Sequence, residues 1–386
     1  MNILILGSMN TIFVYSYFKI FKKNGANVFF ANTSSLYDVN ENGINLYTKA
    51  KNSSFKSWLR RLSKKLKIDR INYLWKIYEK YEYSESLNND IELKLEKFLL
   101  EKKIDIVFSF WGTTLKKEIE SIDKIIKRNA INLKLVHCVN TYPVRYELTK
   151  DIGCEGHNVL KSDSDYFDKF DALICASHGM KSLFRDVVKY NGLIYVELDF
   201  LEDELFSKNS RLNYRKNSVV FLGNVSFENR SIDDVGSTLL SIANSGVDVW
   251  LQEPCAIKHP NIHTFKPFNY SEICDGKLGD FIGQFSASIV LYNDYNNLRT
   301  SISYPTRFAL ATLGDRPIII QSGVFDGIED YSNSNQIEHI YTYNNLEEIK
   351  DIVAIVDGKN SCDKSYIFRS SYKCRELKLI EFMRSL

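Results

Sequence analysis

The chain is poor in the residues that break regular structure, with 6 Pro and 18 Gly among 386 residues. That scarcity excludes collagen-like and low-complexity architectures and predicts long regular elements joined by short loops. Apolar runs are short as well. None reaches the roughly 18 to 20 residues that a spanning helix needs, and the first residues lack the basic, apolar and small-residue series of a secretory signal. Seven cysteines (Cys138, Cys154, Cys175, Cys255, Cys274, Cys362 and Cys374) are widely spaced, with no CxxC and no Cys/His pairing. They read as reduced thiols of a cytoplasmic protein, and no metal site is expected. A single Asp-x-Asp string, Asp163-Ser-Asp165, lies in a polar stretch. Phosphate-cradling glycines are missing too. The stretch 7–11, Gly-Ser-Met-Asn-Thr, has one glycine where a dinucleotide turn requires three, and no lysine follows a glycine-rich loop, so neither a bound NAD or FAD nor nucleotide hydrolysis is expected.

What is abundant is burial capacity. The composition includes 24 Phe, 23 Tyr and 4 Trp, and 44% of residues are hydrophobic, enough for two ordinary cores. The net charge of +2 conceals an asymmetry. Residues 1–150 hold 26 Lys and Arg against 15 Asp and Glu, whereas 151–386 hold 24 against 33. A basic front half suits an anionic surface or substrate. The basic residues concentrate in one segment and do not interleave with aromatics, so no nucleic-acid partner is expected.

The opening reads strand (2–7), helix (12–23), strand (27–31), a βαβ start. Apolar strand-like runs recur at 104–110, 133–139, 172–176 and 193–198, separated by helical patterns such as 114–128 and 179–190. Continuous apolar strands alternating with helices predict a parallel sheet covered on both faces. A polar stretch at 202–217 interrupts the series, which restarts at 218–224 and continues with strands at 247–251, 287–292, 317–321 and 337–341. Helical intervals fall at 232–244, 304–313 and 346–357. The fold class is therefore α/β, with two doubly wound Rossmann-like domains facing across a cleft. The first spans 1–205, the second 206–363, and the segment 364–386 is a separate helix.

Residues 259–263 read His-Pro-Asn-Ile-His, 287–292 form an apolar strand, and 303–320 run Ser-Tyr-Pro-Thr-Arg-Phe-Ala-Leu-Ala-Thr-Leu-Gly-Asp-Arg-Pro-Ile-Ile-Ile. This stretch resembles the sugar-donor half of GT-B glycosyltransferases, loosely those of the family 4-like and related bacterial polysaccharide enzymes. Pro305, Arg307, Ala311, Gly314 and Pro317 fall on the pattern, with one extra residue between Gly314 and Pro317. Independently of the resemblance, Pro305 in the first helical turn is expected to leave the amides of Thr306, Arg307 and Phe308 free beside a guanidinium, a setting for a diphosphate. The alternative is a solvated Arg307. The resemblance implies a donor site of Gly223, Asn224, Arg230, Tyr304, Pro305, Thr306 and Arg307, and a final helix that returns to the first domain. One departure stands out. Many retaining members place a glutamate on this helix, and the aligned positions here are Ala309 and Leu310, so the donor is held differently or the transfer is inverting.

Acceptor contacts are expected from loops at the carboxyl ends of the first sheet, namely Asn10, Thr11, Trp111 and Arg145. An inverting transfer needs a base, for which Glu155, His157 and Asp163 are eligible; taken alone, each reads as a surface loop residue. Between 51 and 70, eight Lys and Arg accompany a single acid, and Phe55, Trp58, Leu59, Leu62 and Leu66 share one helical stripe. This is either an interfacial helix, with Trp58, Arg60, Arg61, Lys64 and Lys65 facing a membrane, or a helix packed on the sheet with a solvated basic face. The resemblance implies a metal-independent glycosyltransferase, without cofactor, moving sugar from a nucleotide-activated donor to a glycan or lipid-linked acceptor in surface polysaccharide synthesis. Its expected location is cytoplasmic, peripheral at the inner face of the membrane. An epimerase of the same fold and a catalytically silent nucleotide-sugar or glycan-binding partner are the alternatives.

Overall fold

A computed structural model describes residues 1–8, 11–34, 42–47, 87–144, 149–197, 200–208, 214–223, 225, 234–293, 296–335, 337, 339–359 and 367–386. Asn10, Trp58, Arg60, Arg61, Lys64, Lys65, Arg145, Asn224 and Arg230 lie outside the described residues, as does the whole basic segment 51–70.

The first half runs β1 (Asn2–Gly7), α1 (Ile12–Lys23), β2 (Asn27–Asn32), β3 (Gly43–Asn45), α2 (Asn89–Glu101), β4 (Ile106–Phe110), α3 (Lys116–Asn129), β5 (Lys134–Val139), α4 (Cys154–Lys161), α5 (Ser164–Phe167), β6 (Ala172–Cys175), α6 (His178–Leu183) and β7 (Leu193–Val196). The second half runs β8 (Arg215–Phe221), α7 (Gly236–Asn244), β9 (Asp248–Gln252), β10 (Ile262–Phe265), α8 (Tyr270–Cys274), α9 (Lys277–Ile282), β11 (Phe285–Val290), α10 (Leu298–Ile302), α11 (Thr306–Thr312), β12 (Ile318–Gln321), α12 (Asp326–Asn335), β13 (Ile340–Tyr343), α13 (Glu348–Lys359) and α14 (Ile367–Arg384).

Two sheets form, ordered β3-β2-β1-β4-β5-β6-β7 and β10-β9-β8-β11-β12-β13. Their pairings among the described residues are parallel. Strands β4 and β11 are buried at every position because helices cover both sheet faces. In each sheet the strand order reverses beside the first strand, between β1 and β4 and between β8 and β11. Crevices open at the carboxyl ends of such strand pairs, which is where α/β sheets hold ligands.

Helix α1 shows how sequence becomes packing. Thr11 caps it by accepting from the Val14 amide at 3.2 Å, and its buried face carries Phe13, Tyr17, Ile20 and Phe21 at helical spacing. Tyr17, fully buried, sets its ring against Phe21, Phe108, Phe110 and Phe200. Phe200 belongs to the connection between domains, so one apolar cluster runs unbroken from the first domain into the second.

Three contacts tie the halves together behind the cleft. The connection is held on α1 by Glu202, whose amide donates to Ser16 Oγ, and by Glu204, which receives Tyr15 Oη at 2.7 Å and Lys19 Nζ at 3.0 Å. It then lies on α9, where a β-carbon at Gly279 would stand 2.6 Å from the Leu205 carbonyl oxygen, so only glycine lets the two backbones touch. Helix α14 completes the tie. The Phe368 amide at its start donates to Asp315 of the second domain, and Phe382 near its end stacks on Tyr195 of the first at 4.9 Å. Between them Arg375 pairs with Glu197, both 8% exposed, and its guanidinium packs against Phe200 and Tyr331.

Several elements differ from the sequence reading. Strands β3 and β10 and helix α2 carry no strong apolar period; α2 buries only Ile91, Leu95 and Leu99, a stripe one residue wide per turn. The stretch 155–165, expected as a polar loop, forms α4 and α5, and of α4 only Leu160 is buried. A helix that buries one side chain leaves no amphipathic signature. The helix expected over 304–313 is two turns long, with Pro305 as its cap instead of its first turn.

Removing the Arg375 guanidinium would strand Glu197 in the core, so Arg375→Ala is expected to destabilise the protein by about 3–5 kcal/mol. Urea unfolding of variant and wild type measures this directly, and a loss below about 1 kcal/mol would show that the pair is not a structural tie.

Candidate functional site: two facing crevices and the seam between them

The second sheet's crevice is built around Gly223, which follows β8 with φ +152°, a conformation that side chains rarely adopt. Arg307, one residue into α11, lies directly over it. A β-carbon at Gly223 would stand 2.4 Å from Arg307 Nε. The guanidinium is 5.0 Å from the Phe221 ring and 4.5 Å from the Tyr292 ring, and Nη1 donates to the Leu291 carbonyl at 3.0 Å. Phe221 ends β8 and Tyr292 stands two residues beyond the end of β11, the two strands that flank the strand-order reversal, so the planar cation is fixed at the point where a ligand is expected. The amides around it differ from the sequence expectation. Phe308 and Ala309 both donate to the Pro305 carbonyl, so the Phe308 amide is not free. Tyr304 and Pro305 are buried and Thr306 is exposed.

The first sheet repeats the pattern. Gly7 ends β1 with φ +155°, and Trp111 and Gly112 follow β4 with φ of 59° and 26°. His137 of β5 holds this turn from below. Its Nε2 donates to the Gly112 carbonyl at 2.8 Å, so Nδ1 accepts from Ser109 Oγ at 2.7 Å. Complete burial pushes the imidazole down to about 4. Trp111 is 36% exposed at the rim, edge-on to Phe13 at 6.4 Å.

Between the crevices the domains meet along a seam. The loop after β5 supplies the Asn140 carbonyl, which accepts from the Tyr304 amide, and Tyr142, whose amide and carbonyl both bond Ser303 Oγ at 3.1 Å. Ser177 Oγ, which caps α6, donates to the Ile302 carbonyl at 2.6 Å. Thr149 pairs with Asn297 in an isolated bridge, and Lys150 reaches Asp326 at 3.1 Å. The segment leading into α11 is thus bonded to the first domain before Arg307 begins.

Of the base candidates, Glu155 and His157 are exposed on α4. Asp163 is gathered into a network: Lys116 Nζ lies 3.3 Å from Oδ1, and the Tyr142 hydroxyl donates to Oδ2 at 3.1 Å. Tyr142 thereby connects Asp163 to Ser303 across the seam, a link without sequence signal because Lys116, Tyr142 and Asp163 come from three separate elements. Burial beside Asp163 raises the Tyr142 hydroxyl far above its ordinary value. The hydroxyl of Thr11 is engaged in its cap. Among the described residues no three His, Cys, Asp and Glu side chains gather as a metal site, and no helix is long and apolar enough to cross a membrane.

No protein-family model and no curated protein matches the sequence. Solved structures do. The sucrose-phosphate synthase of Thermosynechococcus elongatus superposes with a TM-score of 0.58 at 11% identity, over 100% of this chain and 99% of that one. The catalytic domain of starch synthase IV from Arabidopsis thaliana, bound to ADP and acarbose, does so with a TM-score of 0.55 at 8% identity, over 100% and 99%. The chain has the GT-B fold. Within that fold the two crevices, ending at Gly7 and Gly223, face one cleft from opposite domains.

The His137 burial sets a pH dependence. In the unfolded chain the imidazole titrates near its ordinary 6.5, and in the folded chain near 4. Between these values the unfolded state binds a proton that the folded state refuses, so this contribution is present above pH 6.5 and is lost as the pH falls toward 4. The loss is on the order of 3 kcal/mol. Urea unfolding at pH 7.5 and pH 4.5 should show His137→Phe losing less stability than wild type by roughly that amount; equal losses would show that the ring is protonated in the fold.

Proposed function

We propose that this GT-B chain is a glycosyltransferase that moves a sugar from a nucleotide-activated donor, held by the second domain, to a glycan or lipid-linked acceptor held by the first. The observation that carries it is Arg307, clamped over Gly223 at the second sheet's strand-order reversal. Starch synthase IV, of the same fold, is bound to a nucleotide and an oligosaccharide analogue, which supports a donor side and an acceptor side here. In the transfer, the bond from the anomeric carbon to the phosphate oxygen breaks, a bond to the acceptor oxygen forms, and the acceptor proton passes to a base. Charge gathers on the departing diphosphate, where a planar, fixed guanidinium offers paired donors.

Gly223, Asn224, Arg230, Tyr304, Pro305 and Thr306 complete the proposed donor side, and Asn10, Thr11, Trp111 and Arg145 the acceptor side. Glu155, His157 and Asp163 are the candidates for the base in an inverting transfer, and Asp163 is the one joined to the seam. The reaction as proposed draws on no metal. The basic segment 51–70 supports a cytoplasmic protein held peripherally at an anionic membrane, each cation contributing on the order of 1 kcal/mol. Replacing Trp58, Arg60, Arg61, Lys64 and Lys65 together should release the protein from phosphatidylserine vesicles in low salt; survival of binding would assign the segment to the fold.

Arg307→Ala is expected to weaken nucleotide binding by about 1.5–3 kcal/mol, roughly 10- to 150-fold in Kd, and Arg307→Lys to recover only part. Calorimetric titration with UDP, ADP, GDP and CMP measures it. Unchanged affinity in a folded Arg307→Ala protein would overturn the donor assignment. Donor consumption with and without added glycan then separates transfer from isomerisation and from silent binding.

A further inference from the structure

Asn140 occupies the residue after β5 and is 2% exposed. Its carbonyl is satisfied by Tyr304, yet neither Oδ1 nor Nδ2 has a hydrogen-bond partner. Leaving both ends of a buried amide unpaired is costly, and native proteins rarely do so without a reason in a ligand, a water or a mechanism. The position supplies the reason. Cys138, two residues earlier, turns toward α1, where its Sγ meets Tyr17 Oη at 3.4 Å. Asn140 lies in the bend just beyond that strand, at the carboxyl end of the sheet where Gly7 and Trp111 also lie. On its other flank Tyr304 immediately precedes Pro305 and the helix that bears Arg307.

The amide's chemistry narrows the ligand. An asparagine side chain offers two N–H donors and one carbonyl acceptor. A phosphate would satisfy only the donors and an ammonium only the acceptor. Hydroxyl groups both donate and accept, so a sugar face satisfies the whole amide. The Tyr304–Pro305 connection leads from Asn140 to Arg307, so the sugar of a donor whose phosphates lie on Arg307 is a hydroxyl-bearing group on that path.

We infer that Asn140 is a donor-sugar-binding residue, contributed by the first domain, whose amide is completed by sugar hydroxyls when the seam is closed on substrate. This rests on the donor-site reading of Arg307. Because the amide is unpaired without ligand, closing the seam on an empty site buries an unsatisfied group, and the sugar removes that penalty. Asn140 thereby couples occupancy of the second domain's site to the fit of the first.

The test compares wild type with Asn140→Leu, similar in size but apolar, and Asn140→Asp, nearly isosteric but without the N–H donors. Thermal unfolding is measured without ligand, and calorimetry measures UDP, ADP and GDP against their glucose, galactose, N-acetylglucosamine and mannose esters. The expected result has three parts. Asn140→Leu unfolds at or above the wild-type temperature, both variants bind the bare nucleotide as wild type does, and the affinity gained from the sugar falls about tenfold or more. An Asn140→Leu protein that melts several degrees lower would show that a bound water or the fold uses the amide, and would overturn the inference. So would unchanged ester affinity in the variants, a wild type that gains nothing from any sugar, or an effect confined to acceptor KM. If Asn140→Leu does not fold, Asn140→Asp decides on the same ester measurement. Failure of wild type to bind any nucleotide or ester is a different result, since it removes the glycosyl-transfer reading itself.

Discussion

The buried pair of Arg375 and Glu197 is the constraint on which the arrangement of the two domains depends. Two charges taken from water need each other, and breaking such a pair is far more damaging than never having made it. The pair joins the last helix to the end of β7, with Phe200 of the connection and Tyr331 of the second domain packed on the guanidinium. Three chain segments distant in sequence, 197–200, Tyr331 and Arg375, therefore have to arrive together. Apolar packing alone would tolerate a range of domain angles; a buried, directional ion pair does not.

From that tie the cleft follows. The connection lies flat between α1 and α9 because Gly279 has no side chain to hold it away, and the seam at Asn140, Tyr142 and Ser177 closes the opposite side. The same local solution appears on both sheets: a glycine near φ +150° at or just beyond the end of the first strand, and an aromatic residue just beyond the neighbouring strand, Trp111 after β4 and Tyr292 after β11. In the first domain a β-carbon on that glycine would make an ordinary contact with Phe110 at 3.9 Å, and in the second it would run into Arg307. This difference in filling, on a shared backbone geometry, is what the proposed division into a donor side and an acceptor side rests on.

The central strands were legible because burial on both faces writes itself as unbroken apolar runs, as in Ile3 to Leu6 of β1, whereas β3 and β10 at the sheet edges were not. Helices with a wide apolar face, such as α1, were legible for the same reason. Elements that bury little were not: α4 hides Leu160 alone, and α2 a single narrow stripe. The site divides in the same way. Gly223 stood out through the family resemblance, and Arg307 through it and through a Pro-x-Arg helix opening, a local signal. Lys116, Tyr142 and Asp163, or the orphaned amide of Asn140, belong to no local pattern.

The sequence by itself determined the class of fold, the division into two series of strands and the place where a cationic side chain follows a proline at a helix start. These depend on neighbours along the chain, through periodicity and backbone preference. Only the tertiary structure decided that Arg307 lies over Gly223, that the Phe308 amide is already taken, that Asp163 is linked through Tyr142 to Ser303, and that Asn140 is buried without a partner. The Phe308 amide is taken by Pro305 within the same helical turn; the others depend on residues separated by tens to more than a hundred positions, and such meetings are set by how the two sheets pack, which no short stretch of sequence encodes.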